Sequence, residues 1–286
     1  MMKPLAEASD RVMPSPSYAL SRENEQASEV SRLERQAAVP FPLEWTALIK
    51  HDLSDARCLL DLGPGAGAYL SLIAASLPEL HIAGAEANVT LADQCRRRLP
   101  DADIVHADAT DTAMLTAILA DTAPDVVMAR YLLQHLPPDS CARLLDTLKA
   151  GLSGRRFICI DADDTFFIAD PPNPAITALN ERMAEWQAAR GGDRFIGRRL
   201  ATIFEAHGFS DIRATPVLVA SQEVGLRNWW HAYGPAYRRT FDDFEASATE
   251  PLYRQAEDWV LAREGDRGVW LSKIIHIVSG VGAESA

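Results

Sequence analysis

The stretch Leu59-Leu60-Asp61-Leu62-Gly63-Pro64-Gly65-Ala66-Gly67-Ala68-Tyr69 most narrows what this chain can fold into. A short apolar run stops at a glycine-rich turn, and an apolar-periodic segment follows from Tyr69 to Leu77. Strand, tight turn and helix in that order form the unit that binds nucleotide-like ligands at the carboxyl end of a parallel sheet. Glycine suits the turn because it carries no Cβ and tolerates positive φ, so backbone can approach a ligand closely.

The downstream periods agree. Strands are predicted at 57–62, 81–85, 103–107, 125–129 and 156–160, with helices at 69–77, 89–99, 112–120 and 140–152 between them. Such alternation predicts an α/β, doubly wound, mostly parallel sheet with right-handed crossovers. Two more strands, at 212–219 and 269–278, bring the sheet to seven. The first 17 residues mix Pro, Ser and charge without periodicity and are expected to be disordered. Residues 18–54 read as a helical flap whose thin apolar stripe (Val30, Leu33, Ala37) needs a docking surface. Residues 55–286 read as the main domain, with lid insertions at about 166–192 and 225–265. A Pro-rich connection is predicted at 166–174 and helices at 43–53, 175–189, 195–207 and 241–263.

Acidic residues close successive strands: Asp61 the first, Glu86 the second, Asp108 the third. Glu86 lies 23 positions after Gly63, where a carboxylate can accept from both hydroxyls of a ribose. Asp108 can accept from an adenine amino group. Gly63, Gly65 and Ala68 also satisfy the dinucleotide fingerprint, so an NAD-dependent dehydrogenase is one reading. Asp61 weighs against it. A carboxylate beside the turn would repel a pyrophosphate, whereas it favours a ligand carrying an ammonium and a sulfonium.

Asp61 to Gly67, Glu86, Asp108-Ala109 and Val126-Val127-Met128-Ala129-Arg130-Tyr131 together resemble the successive motifs of class I S-adenosylmethionine-dependent methyltransferases. Tyr18-Ala19-Leu20 with Glu29, Arg32, Leu33 and Gln36 is similar to the N-terminal flap of the small-molecule subgroup. The run from Gly192-Asp193 through Gly197-Arg198-Arg199-Leu200 to Gly208-Phe209 is similar to a late segment of that subgroup. The resemblance implies S-adenosyl-L-methionine as cofactor. The Gly63 and Arg130 carbonyls would hold its ammonium, Glu86 its ribose, and Asp108 with Ala109 its adenine. Asp61, Gly65, Ala87 and Tyr131 complete the implied cofactor set. No Asn-Pro-Pro-Tyr signature follows the fourth strand; Arg130-Tyr131-Leu132-Leu133-Gln134-His135-Leu136 stands there instead, which favours a small-molecule acceptor.

For chemistry, His135 is the candidate general base, with a helix-start structural histidine as its alternative. Tyr18 and Tyr131 are candidates to orient the acceptor, or are packing tyrosines. His106 and His276 are expected to be satisfied core histidines, and His231 is a weaker base candidate. Phe166, Phe167, Trp186, Trp229, Trp230, Tyr233 and Tyr237 fall in the insertions, where they would line an apolar or aromatic acceptor site or form the lid's own core. The function expected is in-line methyl transfer to a small metabolite. A methyltransferase-fold cyclase or rearrangement enzyme, using the cofactor as scaffold, is the alternative.

Composition supplies the exclusions. With 28 basic against 40 acidic residues, net charge −12, nonspecific binding to nucleic acid or an anionic membrane is disfavoured. Cys58, Cys95, Cys141 and Cys159 show no metal-ligand or redox spacing, so they read as reduced thiols and no metal is implied. No apolar run reaches the roughly 20 residues that span a bilayer. The expected setting is cytoplasmic, and a homodimer is compatible with the aromatic surface.

Overall fold

A computed structural model describes residues 23–51, 53–234, 236 and 243–282. The expected disordered segment, Tyr18 and Tyr237 lie outside them. Helices α1 (Glu23–Ala38) and α2 (Phe41–Leu48) come first. Pro40 and Pro42 stop α1 and start α2, where a proline without an N–H costs nothing. Then follow β1 (Cys58–Leu62), α3 (Ala68–Ser76), β2 (His81–Glu86), α4 (Val89–Arg98), β3 (Asp103–His106), α5 (Thr112–Thr122) and β4 (Val126–Arg130). A 3-10 turn, Leu133–His135, leads to α6 (Pro138–Gly151), β5 (Arg156–Asp170), α7 (Pro174–Ala188), α8 (Leu200–Ala206) and β6 (Ser210–Ala220). The chain ends with α9 (Ser221–Val224), α10 (Leu226–Tyr233), the long helix Asp243–Leu261 and β7 (Trp270–Val281).

The seven strands form one sheet in the order β3-β2-β1-β4-β5-β7-β6, with only β7 antiparallel to its neighbours. This is the expected α/β, doubly wound, mostly parallel architecture. Its central strands are covered on both faces and read as continuous apolar runs. Alternation along them divides the core. Leu59, Met128 and Ile158 face one layer, which α3 and α10 cover, while Leu60, Val127 and Phe157 face the other, covered by α5, α6 and α8. The strand order reverses between β1 and β4, so the crevice for a ligand opens at their carboxyl ends.

Several boundaries differ from the sequence reading. The fifth strand was expected to end at Asp161, but β5 runs on to Asp170, through residues assigned to a Pro-rich connection. Asp163 and Asp164 do not terminate it, because Arg198, Arg194 and Lys273 neutralise them. A register shift between Asp163 and Ile168 lets the strand resume against β7. The helix expected over 195–207 is a 3-10 turn, Ile196–Arg199, followed by α8. Gly197 packs so tightly that a Cβ there would lie 2.8 Å from the Ala162 carbonyl oxygen. The helix expected over 43–53 is α2 followed by 3-10 turns. His106 is a surface residue rather than a core one, because β3 is an edge strand. His276 is half-buried, and its Nε2 has no hydrogen-bond partner among the described residues. The lid reading of the aromatics resolves partly toward packing: Trp229 and Trp230 are fully buried, and Trp229 Nε1 donates to the Val219 carbonyl at 2.9 Å.

Candidate active site

At the end of β1 the chain turns through Gly63, Gly65 and Gly67, all at positive φ. Gly67 has no room for anything larger, since a Cβ would meet Cys95 Sγ at 2.7 Å. At Gly65 a Cβ would lie 3.6 Å from Leu33 Cδ1, so α1 lies directly over the turn. Glu86, at the end of β2, accepts from the Gly65 amide at 2.9 Å and from the Asn88 amide at 2.8 Å, one on each carboxylate oxygen. A carboxylate has about four acceptor sites, so capacity remains for a ligand hydroxyl. Burial raises the Glu86 carboxyl, while the Asn88 and Gly65 amides, His106 and the Ala87 amide oppose the shift.

Asp61 sits beneath this turn, 2% exposed, with Oδ1 buried and without a hydrogen-bond partner among the described residues. Burial pushes it up to about 8, Arg130 opposing and Glu86 adding to the effect. An orphaned buried carboxylate oxygen is costly, and a cationic group brought beside it would relieve that cost. The turn, Asp61 and Glu86 therefore fit the ammonium and ribose that the sequence resemblance implies.

Asp108 and Ala109 stand one strand farther out, beside β2, where the Ala107 amide bonds to the Glu86 carbonyl at 3.0 Å. Ala109 is buried and Asp108 exposed, with Oδ1 accepting from the Thr110 amide and hydroxyl, each at 2.8 Å. Its other oxygen remains for a ligand. The Ala87 carbonyl accepts from His106 Nε2 at 2.9 Å, which ties the ends of β2 and β3 together.

Across the switch, Arg130 does more than its predicted backbone role. Its guanidinium reaches Glu44 of α2 through Nε at 3.2 Å and Nη2 at 3.1 Å, and Nη2 also donates to the Gln36 carbonyl at 3.0 Å. The Tyr69 and Tyr131 rings flank it, with centroids at 4.2 and 4.5 Å. Glu44 is fully buried. Two helices from the N-terminal segment are thus fastened to the end of β4. Tyr131 itself adopts φ 55, uncommon for a non-glycine residue.

His135 lies in the 3-10 turn after β4, half-buried, with Nε2 3.3 Å from Gln134 Nε2. The turn is braced from two sides. The Gln134 amide donates to Asp161 at 3.3 Å, and its carbonyl accepts from the Asp193 amide and from Gln187.

Sequence reasoning overlooked a second polar group at the β5 end. Asp164 pairs with Arg194 and with Lys273 at 2.7 Å, and Asp163 pairs with Arg198 at 2.5 Å. Two signals were available: Asp161-Ala162-Asp163-Asp164 closing an apolar strand, and one lysine inside the apolar run of β7. Both ask for buried partners.

A protein-family model described as a methyltransferase domain matches residues 29–214. The chain belongs to the methyltransferase domain family. The resemblance to class I methyltransferases drawn from the motifs is thereby borne out. Over 186 residues, 65% of this chain and 65% of the relative, it is 29% identical to a trans-aconitate 2-methyltransferase of Methylobacterium radiotolerans. It therefore spans less than two thirds of that relative's length. The plantazolicin methyltransferase BamL, solved with a triazolic desmethylPZN analog and SAH, superposes with TM-score 0.53 at 10% identity, over 91% of this chain and 92% of that one. That match shows the fold. PigF with SAH is 22% identical, covering 58% of this chain and 48% of that chain, at TM-score 0.42.

Proposed function

We propose that this methyltransferase transfers the methyl group of S-adenosylmethionine to a small-molecule acceptor. The observation that carries the reading is the glycine turn tied through the Gly65 amide to the Glu86 carboxylate, with Asp61 Oδ1 beneath it buried and unpartnered among the described residues. Asp61 and the Gly63 and Arg130 carbonyls would hold the ammonium. Glu86 would take the ribose hydroxyls, and Asp108 with Ala109 would take the adenine. Ala87 and Tyr131 flank these groups, each one residue past the end of its strand, β2 and β4. When bound, the cofactor supplies an electrophilic methyl on a sulfonium that is its own leaving group.

The chain's own residues then have two tasks, positioning and exclusion of water. Leu33 of α1 covers the turn, and the Arg130–Glu44 pair holds that cover down. His135 is the candidate base where the acceptor is a hydroxyl. His135→Ala would then lower kcat roughly 10²–10⁴-fold with cofactor affinity unchanged. Wild-type kcat with an unaltered pH profile would leave His135 as part of a braced structural turn. Tyr18 is a second candidate to orient the acceptor.

Calorimetry with S-adenosylhomocysteine and with NADH tests the cofactor assignment. Binding of the first and not the second is expected, and the reverse would restore the dehydrogenase reading.

A further inference from the structure

Where β5 runs on past the carboxyl end of β4, two strands from the glycine turn, lies a cluster of buried polar groups that the cofactor reading does not use. Lys273 stands on β7 opposite the β5 register shift and is 5% exposed. Its Nζ meets Asp164 Oδ1 at 2.7 Å, and Asp164 is shared with Arg194. The same Nζ faces the ring of Tyr233 at 5.4 Å and that of Tyr131 at 5.9 Å. The hydroxyls of both tyrosines are shut off from solvent, and neither has a hydrogen-bond partner among the described residues. Tyr233 is 4% exposed as a whole.

Two facts about this cluster need an explanation. Asp164 serves two cations, so the Arg194–Asp164–Lys273 group carries one positive charge beyond its own acid. The next acid near Lys273 is Asp161, which burial pushes up to about 7, so it supplies that missing charge only in part near neutrality. Two phenol hydroxyls are also buried with nothing to donate to, which a folded protein rarely tolerates. Burial lowers Lys273 and raises both phenols, so the hydroxyls keep their protons and remain donors. An ammonium with hydrogens beyond the one given to Asp164, set beside the rings of two tyrosines whose O–H donors are unpartnered among the described residues, suits a group that only accepts and brings negative charge. A carboxylate is such a group.

We propose that Lys273, Tyr131 and Tyr233 form the acceptor site of this enzyme and hold a carboxylate of its substrate. The proposal rests on reading the glycine turn as the cofactor site, since Tyr131 closes β4 beside that turn. Lys273 and Tyr233 lie beyond residues 29–214, the part the family model matches, so the acceptor's charge is read by this chain's carboxyl-terminal third. The aromatic neighbours Trp229 and Phe167 wall the site on its apolar side, Trp229 lying 5.0 Å from Tyr233 and 5.0 Å from Phe167 between ring centroids.

The test is calorimetry on the full chain saturated with S-adenosylhomocysteine, titrated with trans-aconitate and with its trimethyl ester. The acid is expected to bind and the ester to bind at least about tenfold more weakly. Lys273→Met and Tyr233→Phe should each weaken the acid about ten- to a hundredfold, the range for hydrogen bonds to a charged group, and leave the ester and S-adenosylhomocysteine unaffected. Tyr233→Phe keeps the ring packing, so it decides the matter if Lys273→Met does not fold. Equal binding of acid and ester, no binding of the acid, or variants that bind the acid as the wild type does would overturn the proposal. Failure of S-adenosylhomocysteine to bind would remove the cofactor reading, and the acceptor site with it.

Discussion

Two acids at this site show how far a residue's position on the chain reveals its work. Glu86 and Asp61 were legible because each closes a strand beside a glycine turn, and the structure places both at one turn. Glu86→Ala should weaken S-adenosylhomocysteine by about 1.5–3 kcal/mol, the range for hydrogen bonds to a charged group. Unchanged affinity by calorimetry would remove Glu86 from the site. Asp61 offers a pH test. Its folded value, about 8, lies above its unfolded value of 3.8, so between them the native state holds a proton that the unfolded chain has released. Stability contributed by that proton is present at low pH and declines as pH rises through the window. Asp161, pushed up to about 7, acts in the same direction. The melting temperature of the ligand-free protein should therefore fall from about pH 5 to about pH 8, and Asp61→Asn should flatten the slope. Saturating S-adenosylhomocysteine should flatten it too, because its ammonium favours the ionised carboxylate. An Asp61→Asn protein with the wild-type slope would refute this. Glu44, Arg194 and Lys273 were not legible. Each looks like an ordinary charged residue locally, and its partner lies far along the chain, Arg130 being 86 positions from Glu44.

At the scale of elements, apolar runs located all seven strands, while their ends were read less well. Acidic residues were taken as strand terminators, which holds at Glu86 and fails at β5, where three cations bury Asp163 and Asp164 inside the sheet. Gly197 shortened α8 for a reason visible only in three dimensions, the approach of another strand's carbonyl. Helix α1, with its thin apolar stripe, packs on α3 and α10, and the Arg130–Glu44 pair joins α2 to the end of β4. Removing one partner of a buried ion pair leaves the other uncompensated, at a cost of about 3–5 kcal/mol. Glu44→Gln should thus lower stability to chemical denaturation by that order and speed proteolysis within residues 23–51. S-Adenosylhomocysteine should slow cleavage of the wild type, because a ligand favours the state it contacts. Equal cleavage of wild type and variant, with and without ligand, would mean that the ion pair and the α1 cover are unrelated to the cofactor.

At the scale of the molecule, alternation of strand and helix implied a doubly wound sheet but not which strands are neighbours. The reversal between β1 and β4 is a property of the assembled sheet, and it brings the Asp61 turn and Arg130-Tyr131 to one crevice. Likewise, the antiparallel insertion of β7 carries Lys273 to the carboxyl end of β5, a placement that no local pattern announces. The residues proposed to hold the cofactor were therefore readable from motifs in order, whereas those proposed to hold the acceptor come together only through pairing of distant segments. The measurement that bears most directly on the whole is mass analysis after incubation of the full chain with methyl-labelled S-adenosylmethionine and a panel of small carboxylic acids. A product heavier by one labelled methyl in place of a hydrogen, formed only with active protein and lost in Glu86→Ala, is expected. Tight cofactor binding with an acid consumed or rearranged and no label transferred would contradict methyl transfer.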